Sequence, residues 1–322
     1  RMKKFLCGEH YRTSNAMLIS KVPGNAEKFN MVISKENTPF VYEHIVEDNA
    51  IVPAALYGEI ALEIGNILFQ NIITSELDVS WTIHRVLFAK EEEQNILIQT
   101  KWESQTGFYF EVFAAENTTP PLSSGRVTVD QNPRHSEIDF LRLKSILQSD
   151  ENANFSYLPL RILGFEHGPM YQSIKKIAIR DKEIVCEICI PDSTMRDVHK
   201  TCLHPIIIDT MFQSCSGAGF KSNDLFKLKV LPARVFRLVA NQKPTQRMIC
   251  YTTILSDNEM KASFDIILMQ ENGNIIAEIR GFEAEKINSP DSIRFVSYYE
   301  AWKSTELKLE PKPVINKVLC VI

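Results

Sequence analysis

No stretch of the 322 residues approaches the ~20 consecutive apolar residues that a bilayer-spanning helix needs. The opening Arg1-Met2-Lys3-Lys4-Phe5-Leu6-Cys7 starts as a signal peptide would, but its apolar run ends at once in Gly8-Glu9-His10-Tyr11-Arg12. Basic charge is not concentrated either. Lys and Arg number 36 against 40 Asp and Glu, for a net charge of -4, and no Lys/Arg stripe forms. Binding to nucleic acid is dominated by phosphate neutralisation, so that class of partner is excluded as an expectation. Cysteine is sparse and unpatterned: seven, an odd number, with no disulfide-framework spacing. A reducing cytoplasm suits such a chain. Cys186 and Cys189 make a C-x-x-C, but Glu183 to Ile190 reads as a strand, so buried strand thiols are expected rather than a redox motif.

What remains is ample apolar material, 44% of residues, with 24% charged. That balance suits a soluble globular protein. The length exceeds one ordinary core, which rarely grows much past ~250 residues, and so points to two similar halves. In the first half, Ala54 to Leu68 places Leu56, Ile60, Ile64, Ile67 and Leu68 at helical spacing, with Glu59 and Glu63 among them. Short β-branched and aromatic runs follow at Val79 to Phe88, Asn95 to Lys101, Gly107 to Ala115 and Ser124 to Val129, a pattern for an antiparallel sheet.

The stretch from Asp130 to Asn154 is polar, with a short helical piece near Phe140 to Leu147, and reads as the connection between halves. The second half repeats the grammar. A strand from Ile174 to Ile179 and a helix from Pro205 to Cys215 precede strands near Leu228 to Leu238 and Arg247 to Leu255. A hairpin spans Phe264 to Phe282, its turn supplied by Glu271-Asn272-Gly273-Asn274, because Asn-Gly tolerates the positive φ that tight hairpins require. The resulting division is 1–16 as an extension, 17–130 and 155–288 as the two halves, 131–154 as the connection, and 289–322 as an exit linker with the start of a next domain. That last segment, ending Val318-Leu319-Cys320-Val321-Ile322, implies a piece of a larger polypeptide.

Three strings carry chemistry. His44 stands ahead of Pro53, and a proline in a first helical turn loses no hydrogen bond there. Alone, such a histidine reads as a structural or surface residue. Asp209 stands in the nearly wholly apolar Leu203-His204-Pro205-Ile206-Ile207-Ile208-Asp209-Thr210-Met211-Phe212-Gln213, with Gln213 one turn on and able to orient it. Burial disfavours a charged carboxylate, so a raised pKa and a proton-donor role are expected, with a loop-capping carboxylate equally compatible. Gly164-Phe165-Glu166-His167-Gly168-Pro169-Met170-Tyr171 reads by itself as a sharp turn.

In this order and at these separations the three strings resemble the dehydratase domains of type I modular polyketide synthases, related to those of animal fatty acid synthases. That family carries H-x-x-x-G-x-x-x-x-P, then G-Y-x-Y-G-P-x-F, then H-P-x-x-x-D-x-x-x-Q. His44 and Pro53 match the first motif, Gly164, Gly168 and Pro169 the second, and His204, Pro205, Asp209 and Gln213 the third. The likeness runs from about 17 to 287, and Tyr298-Tyr299-Glu300-Ala301-Trp302 is similar to the family's exit segment. Four positions depart from it: Asp48 replaces the motif glycine, Phe165 and His167 replace the two tyrosines, and Tyr171 replaces the phenylalanine.

The resemblance implies an α+β double hotdog, two antiparallel sheets each wrapped round a long central helix, with the active site where the halves meet. It implies dehydration of a carrier-bound 3-hydroxyacyl thioester to the 2-enoyl thioester, with His44 as base and Asp209 as acid. Gln213, His167, Gly168, Pro169 and Pro53 are the expected substrate-binding residues, His167 standing in as donor for a tyrosine. No cofactor is expected on the domain itself, since the substrate arrives on the phosphopantetheine of an acyl carrier protein. Other domains of the same synthase and a second copy of the chain are the further expected partners. A zinc site in Asp197-Val198-His199-Lys200-Thr201-Cys202-Leu203-His204 is the rival reading, weakened by the lack of a second ligand cluster, and no metal is expected. Double-bond isomerisation, oxygen-heterocycle closure, or a silent carrier-docking spacer are the alternatives within the same fold.

Overall fold

A computed structural model describes residues 18–69, 76–114, 120–130, 136–149, 154–220 and 230–286. The expected extension at 1–16, the exit segment and terminal strand beyond 286, and the first two residues of the strand read near Leu228 lie outside the described residues. In the first half, β1 (Ile19–Lys21), β2 (Lys28–Ile33), the short α1 (Pro39–Tyr42) and the small hairpin β3 (Ile45–Val46) and β4 (Asn49–Ala50) precede α2 (Ala55–Leu68). Then come β5 (Glu76–Ile83), β6 (Gln94–Ser104), β7 (Gly107–Ala114) and β8 (Ser123–Asp130). The second half contains α3 (Phe140–Ser149), α4 (Leu158–Ile162), a 3-10 turn at Pro169–Tyr171, β9 (Ile174–Arg180), β10 (Glu183–Cys189), α5 (Asp192–Val198), α6 (Pro205–Ser214) and α7 (Gly217–Phe220). Four long strands close it: β11 (Val230–Ala240), β12 (Arg247–Asp257), β13 (Lys261–Gln270) and β14 (Ile275–Lys286).

The strands form because their side chains alternate between an apolar face and a wetter one. In β7, Phe108, Phe110 and Val112 are buried, and across the ladder β6 presents Ile96 and Ile98 to the same side. That shared face lies on α2, whose Leu56, Ile60 and Ile64 are fully buried. Gly58 permits the close approach: a Cβ there would stand 2.8 Å from the Trp81 ring of β5. The second half is built in the same way around α6, with Phe212 stacked on Phe282 of β14 at 4.2 Å between centroids. This is an α+β double hotdog.

The twelve strands make one continuous antiparallel sheet in the order β1-β2-β6-β7-β8-β5-β11-β14-β13-β12-β10-β9. The seam between halves is β5 against β11, pairing Trp81 with Val235 and Val79 with Leu238. Because β5 ends one half-sheet and β11 begins the other, the two central helices come side by side beneath the seam, where Trp81 and Phe212 meet at 6.4 Å. The polar connecting stretch is not idle: α3 docks on the outer face of the second half-sheet, sealing Leu143 and Leu147 against Ala178, Val185, Ile249, Ile267 and Met269. Cys186 and Cys189 lie in β10 as free thiols.

Candidate active site

A second, smaller ladder brings two of the three strings together. Glu47 N donates to Gly164 O at 2.7 Å, Glu166 N to Ile45 O at 2.9 Å and Gly168 N to Glu43 O at 2.8 Å. Val46 and Phe165 form an antiparallel bridge within it. The Glu43 carboxylate adds a bond from Met170 N at 2.8 Å. Local chain geometry permits this. Glu47 and Asp48 turn the β3–β4 hairpin at φ 51° and 63°, in the left-handed region where Asp is among the more tolerated residues. Gly164 takes φ 86°. A Cβ on Gly168 would lie 2.6 Å from Glu43 Oε2, so the ladder requires a glycine there. The outcome is that the His44 and His167 rings face one another with centroids 5.2 Å apart.

The third string arrives on α6. Its cap is the buried His204, whose Nδ1 accepts from Ile206 N at 3.1 Å and whose ring sits edge-on to Phe40. Burial drops the His204 pKa to about 4, which keeps the ring neutral and able to accept. This accounts for the histidine of the third motif as a helix cap. Its neighbour Cys202 is occupied too, accepting at Sγ from Asn66 Nδ2 at 3.0 Å. One turn into α6, Asp209 faces across the seam. Its Oδ1 stands 3.6 Å from His44 Nε2, both side chains nearly buried.

Each member of this pair is held from behind. His44 Nδ1 lies 3.1 Å from Ile51 O, and a carbonyl can only accept, so Nδ1 carries the hydrogen and Nε2 is left toward Asp209. Gln213 Nε2 donates to Asp209 Oδ2 at 2.7 Å, as expected for neighbours four apart on a helix. The Tyr157 hydroxyl, 3.2 Å from Gln213 Oε1, continues the chain and accepts from Ile174 N at 3.0 Å.

The expectation of a raised Asp209 pKa is corrected. Burial does push the carboxyl up, but His44, the nearby His167 and the Gln213 amide outweigh it, and the pKa falls below the ordinary carboxylate value. The sequence argument counted desolvation and omitted the partners that burial brings. The His167 pKa is lowered as well, to about 4, because burial and the neighbouring His44 both disfavour its cation.

Of the sequence-predicted residues, the structure gathers His44, His167, Asp209 and Gln213. Gly168 serves the ladder. Pro53 sits at the entry to α2, its carbonyl accepting from Leu56 N at 3.0 Å, and Pro169 is exposed at the start of the 3-10 turn, so both act on the backbone path. The sequence reading singled out neither Glu43 nor Tyr157. Tyr171 it noted only as a substitution. The Tyr171 ring lies 5.3 Å from His44 and 5.6 Å from His167, fully buried, its hydroxyl without a hydrogen-bond partner among the described residues. The usable signals were Glu43 beside His44 and the exchange of a motif phenylalanine for tyrosine.

Comparison with known proteins agrees with this fold. One family model, described as polyketide synthase dehydratase domain, matches residues 18–115, and another, described as polyketide synthase dehydratase N-terminal domain, matches 142–292. The chain belongs to the polyketide synthase dehydratase family. Among curated relatives, polyketide synthase PksM of Bacillus subtilis is 21% identical over 75% of the chain. Highly reducing polyketide synthase sorA of Penicillium rubens is 25% identical over 92% of it. The chain spans only 6% and 12% of their respective lengths. Among solved structures, the dehydratase domain from the CurK module of curacin polyketide synthase superposes with a TM-score of 0.72 at 18% identity, covering 87% of this chain and 99% of that one. Two CurK dehydratase mutants described as inactive, one histidine to phenylalanine and one aspartate to asparagine, match with TM-scores of 0.71 and 0.70 at 17% identity each.

Proposed function

We propose that this domain dehydrates a 3-hydroxyacyl thioester carried by an acyl carrier protein to the 2-enoyl thioester during polyketide chain extension, with His44 as base and Asp209 as acid. The observation that carries the reading is the buried His44–Asp209 contact at 3.6 Å, one partner from each half. A thioester acidifies its α-proton enough for an imidazole to remove it, while hydroxide leaves only when protonated. In the step, the α-proton passes to His44 Nε2, its electron pair becomes the α,β double bond, and the β-carbon–oxygen bond breaks as Asp209 delivers a proton to form water. The product state holds the proton on His44. Transfer to Asp209 restores the starting arrangement, so one shared proton serves both roles.

The lowered Asp209 pKa fits this inventory. As the pair stands, His44 and Gln213 favour the carboxylate form of Asp209. An apolar acyl chain seated beside it removes water, which disfavours the charged carboxylate relative to the neutral carboxyl. Substrate binding thereby moves the proton to where it is needed. Gln213 then acts as the positioning residue for Asp209, and His167 and Gly168 border the reacting centre.

In this reading the halves at 17–130 and 155–288 contribute base and acid respectively. The domain needs no cofactor of its own, takes its substrate from a phosphopantetheine arm, and works beside other domains of a synthase, as a homodimer in the cytoplasm. No helix among the described residues is long and apolar enough to cross a membrane. A silent spacer would have no need to keep a supported acid–base pair buried, which favours the enzyme. The test is incubation with a carrier-linked 3-hydroxyacyl chain, following enoyl thioester formation. His44→Ala or Asp209→Ala should each lower kcat by about 10²–10⁴-fold. Turnover that survives both changes would remove the assignment, as would an unmodified domain that never turns over any carrier-linked 3-hydroxyacyl chain. The inactivity of the CurK histidine and aspartate mutants supports the expected direction.

A further inference from the structure

The site holds one donor more than elimination requires. His44, His167 and Asp209, all buried, each offer a ligand atom, and these atoms lie within 4.8 Å of one another. Two imidazoles and a carboxylate are the ligands that borderline divalent ions accept in sites with one coordination position left open. Bonds of ~2.0–2.2 Å to zinc put neighbouring ligand atoms about 3.4 Å apart. The His44–Asp209 separation of 3.6 Å already meets that spacing. For the third ligand, closing a separation of up to 4.8 Å to that spacing takes a ring shift of about 1.4 Å.

The supports behind these ligands are of the kind that orient metal ligands. His44 Nδ1 is tied to Ile51 O, leaving Nε2 for an ion, and Asp209 Oδ2 is held by Gln213, leaving Oδ1. His167 contributes a buried ring nitrogen, Nδ1, with no hydrogen-bond partner among the described residues. The tyrosine of the motif that His167 replaces would offer a neutral phenol there instead of an imidazole lone pair. We infer that His44, His167 and Asp209 form a binding site for one divalent transition-metal ion of the zinc class, and that the ion and the acyl substrate exclude each other. Exclusion follows because the metal takes the Nε2 lone pair that receives the α-proton and the carboxylate that must carry the acid's proton. Binding stands by itself, whereas exclusion rests on the proposed dehydration.

The full chain is titrated under reducing conditions with ZnCl2 by calorimetry and with CoCl2 by visible absorption. One ion per chain is expected, with cobalt d–d bands and no thiolate charge-transfer band. His167→Phe and Asp209→Asn should each cost more affinity than the ~10–100-fold attached to losing an outer-shell partner, and Gln213→Leu should fall within that range. Cys202→Ser should leave affinity unchanged. Near-ultraviolet circular dichroism checks each variant's fold, and the near-isosteric Asp209→Asn keeps the test readable if His167→Phe unfolds. Binding indifferent to His167 and Asp209, thiolate bands, or no stoichiometric heat would each overturn the site. In turnover assays zinc should raise the apparent KM for the thioester with kcat unchanged, and a fall in kcat at constant KM would overturn exclusion. A chain that binds zinc as described but never dehydrates the thioester would refute the dehydratase reading and leave the metal site standing.

Discussion

The central helices of the two halves both bury carboxylates, and the carboxylates end in opposite circumstances. On α2, Glu59 accepts from Cys202 N and Leu203 N, both at 2.7 Å, and Glu63 accepts from Leu18 N and Ile19 N at 3.1 and 3.2 Å. Their oxygens are consumed by backbone amides. On α6, Asp209 has one oxygen on Gln213 and the other toward His44. Burial is therefore not what makes a carboxylate reactive. A fixed amide partner turns it into a clasp, and in this fold Glu59 clasps the segment that leads into the α6 cap. A titratable partner turns it into half of an acid–base pair. The pKa directions follow the same division: burial and mutual repulsion raise Glu59, burial lifts Glu63 to about 7, and His44 helps hold Asp209 down.

The comparison breaks most visibly in a paired substitution. Asp209→Asn should lower kcat by about 10²–10⁴-fold with the fold intact, because a carboxamide keeps the shape and loses the proton. Glu59→Ala should act mainly through stability. It strands two buried amides, each costing about 1–3 kcal/mol, so chemical denaturation should show a loss of that order, with catalysis falling only as folded protein is lost. Equal catalytic loss at equal stability for both changes would dissolve the distinction.

Next in size is a pH effect from Glu63. Its folded pKa of about 7 lies above the ordinary carboxylate value, so the folded state binds the proton more tightly than the unfolded chain. That contribution is fully present below the unfolded value and is lost as pH rises through about 7. Melting temperature should accordingly decline from mildly acidic pH through neutrality, and Glu63→Gln should flatten the decline. A melting temperature that rises over the same interval in the unmodified chain, and is unaffected by Glu63→Gln, would refute the raised Glu63 pKa.

The smallest expected effect is at the hairpin that carries His44. Asp48 holds φ 63°, a region that favours glycine. Asp48→Gly should raise stability by about 1 kcal/mol or less, since Asp tolerates this conformation better than most residues. Thermal denaturation reads the change, and a marked loss would mean that the aspartate side chain fastens the turn.

Much of the architecture was legible because it is local. The hydrophobic spacing of Leu56, Ile60 and Ile64 identifies α2, and alternation in Gly107 to Ala114 identifies β7, since each pattern depends on neighbours in the chain. Asn272-Gly273 marks its hairpin because positive φ is a one-residue property, and Gly273 takes φ 89°. Other features escaped. β1 and β2 are too short and mixed to stand out, and the β5–β11 seam is a contact between segments more than 140 residues apart, about which periodicity is silent. The α3 helix was legible near Phe140 to Leu147, but not its docking on the sheet through Leu143 and Leu147.

The candidate site divides the same way. His44, Asp209 and Gln213 were recognisable as chemical types at family spacings, and the i, i+4 relation of Asp209 and Gln213 is fixed by helix geometry alone. The sequence by itself determined which helices and strands form and which side chains could do acid–base work. Tertiary structure alone decided that His44 meets Asp209, that Tyr157 closes the chain behind Gln213, and that the Asp209 pKa falls instead of rising. The physical reason is that a pKa and a hydrogen bond depend on what lies within a few ångströms in space, and neighbours such as His44 and Tyr157 come from segments distant in the chain.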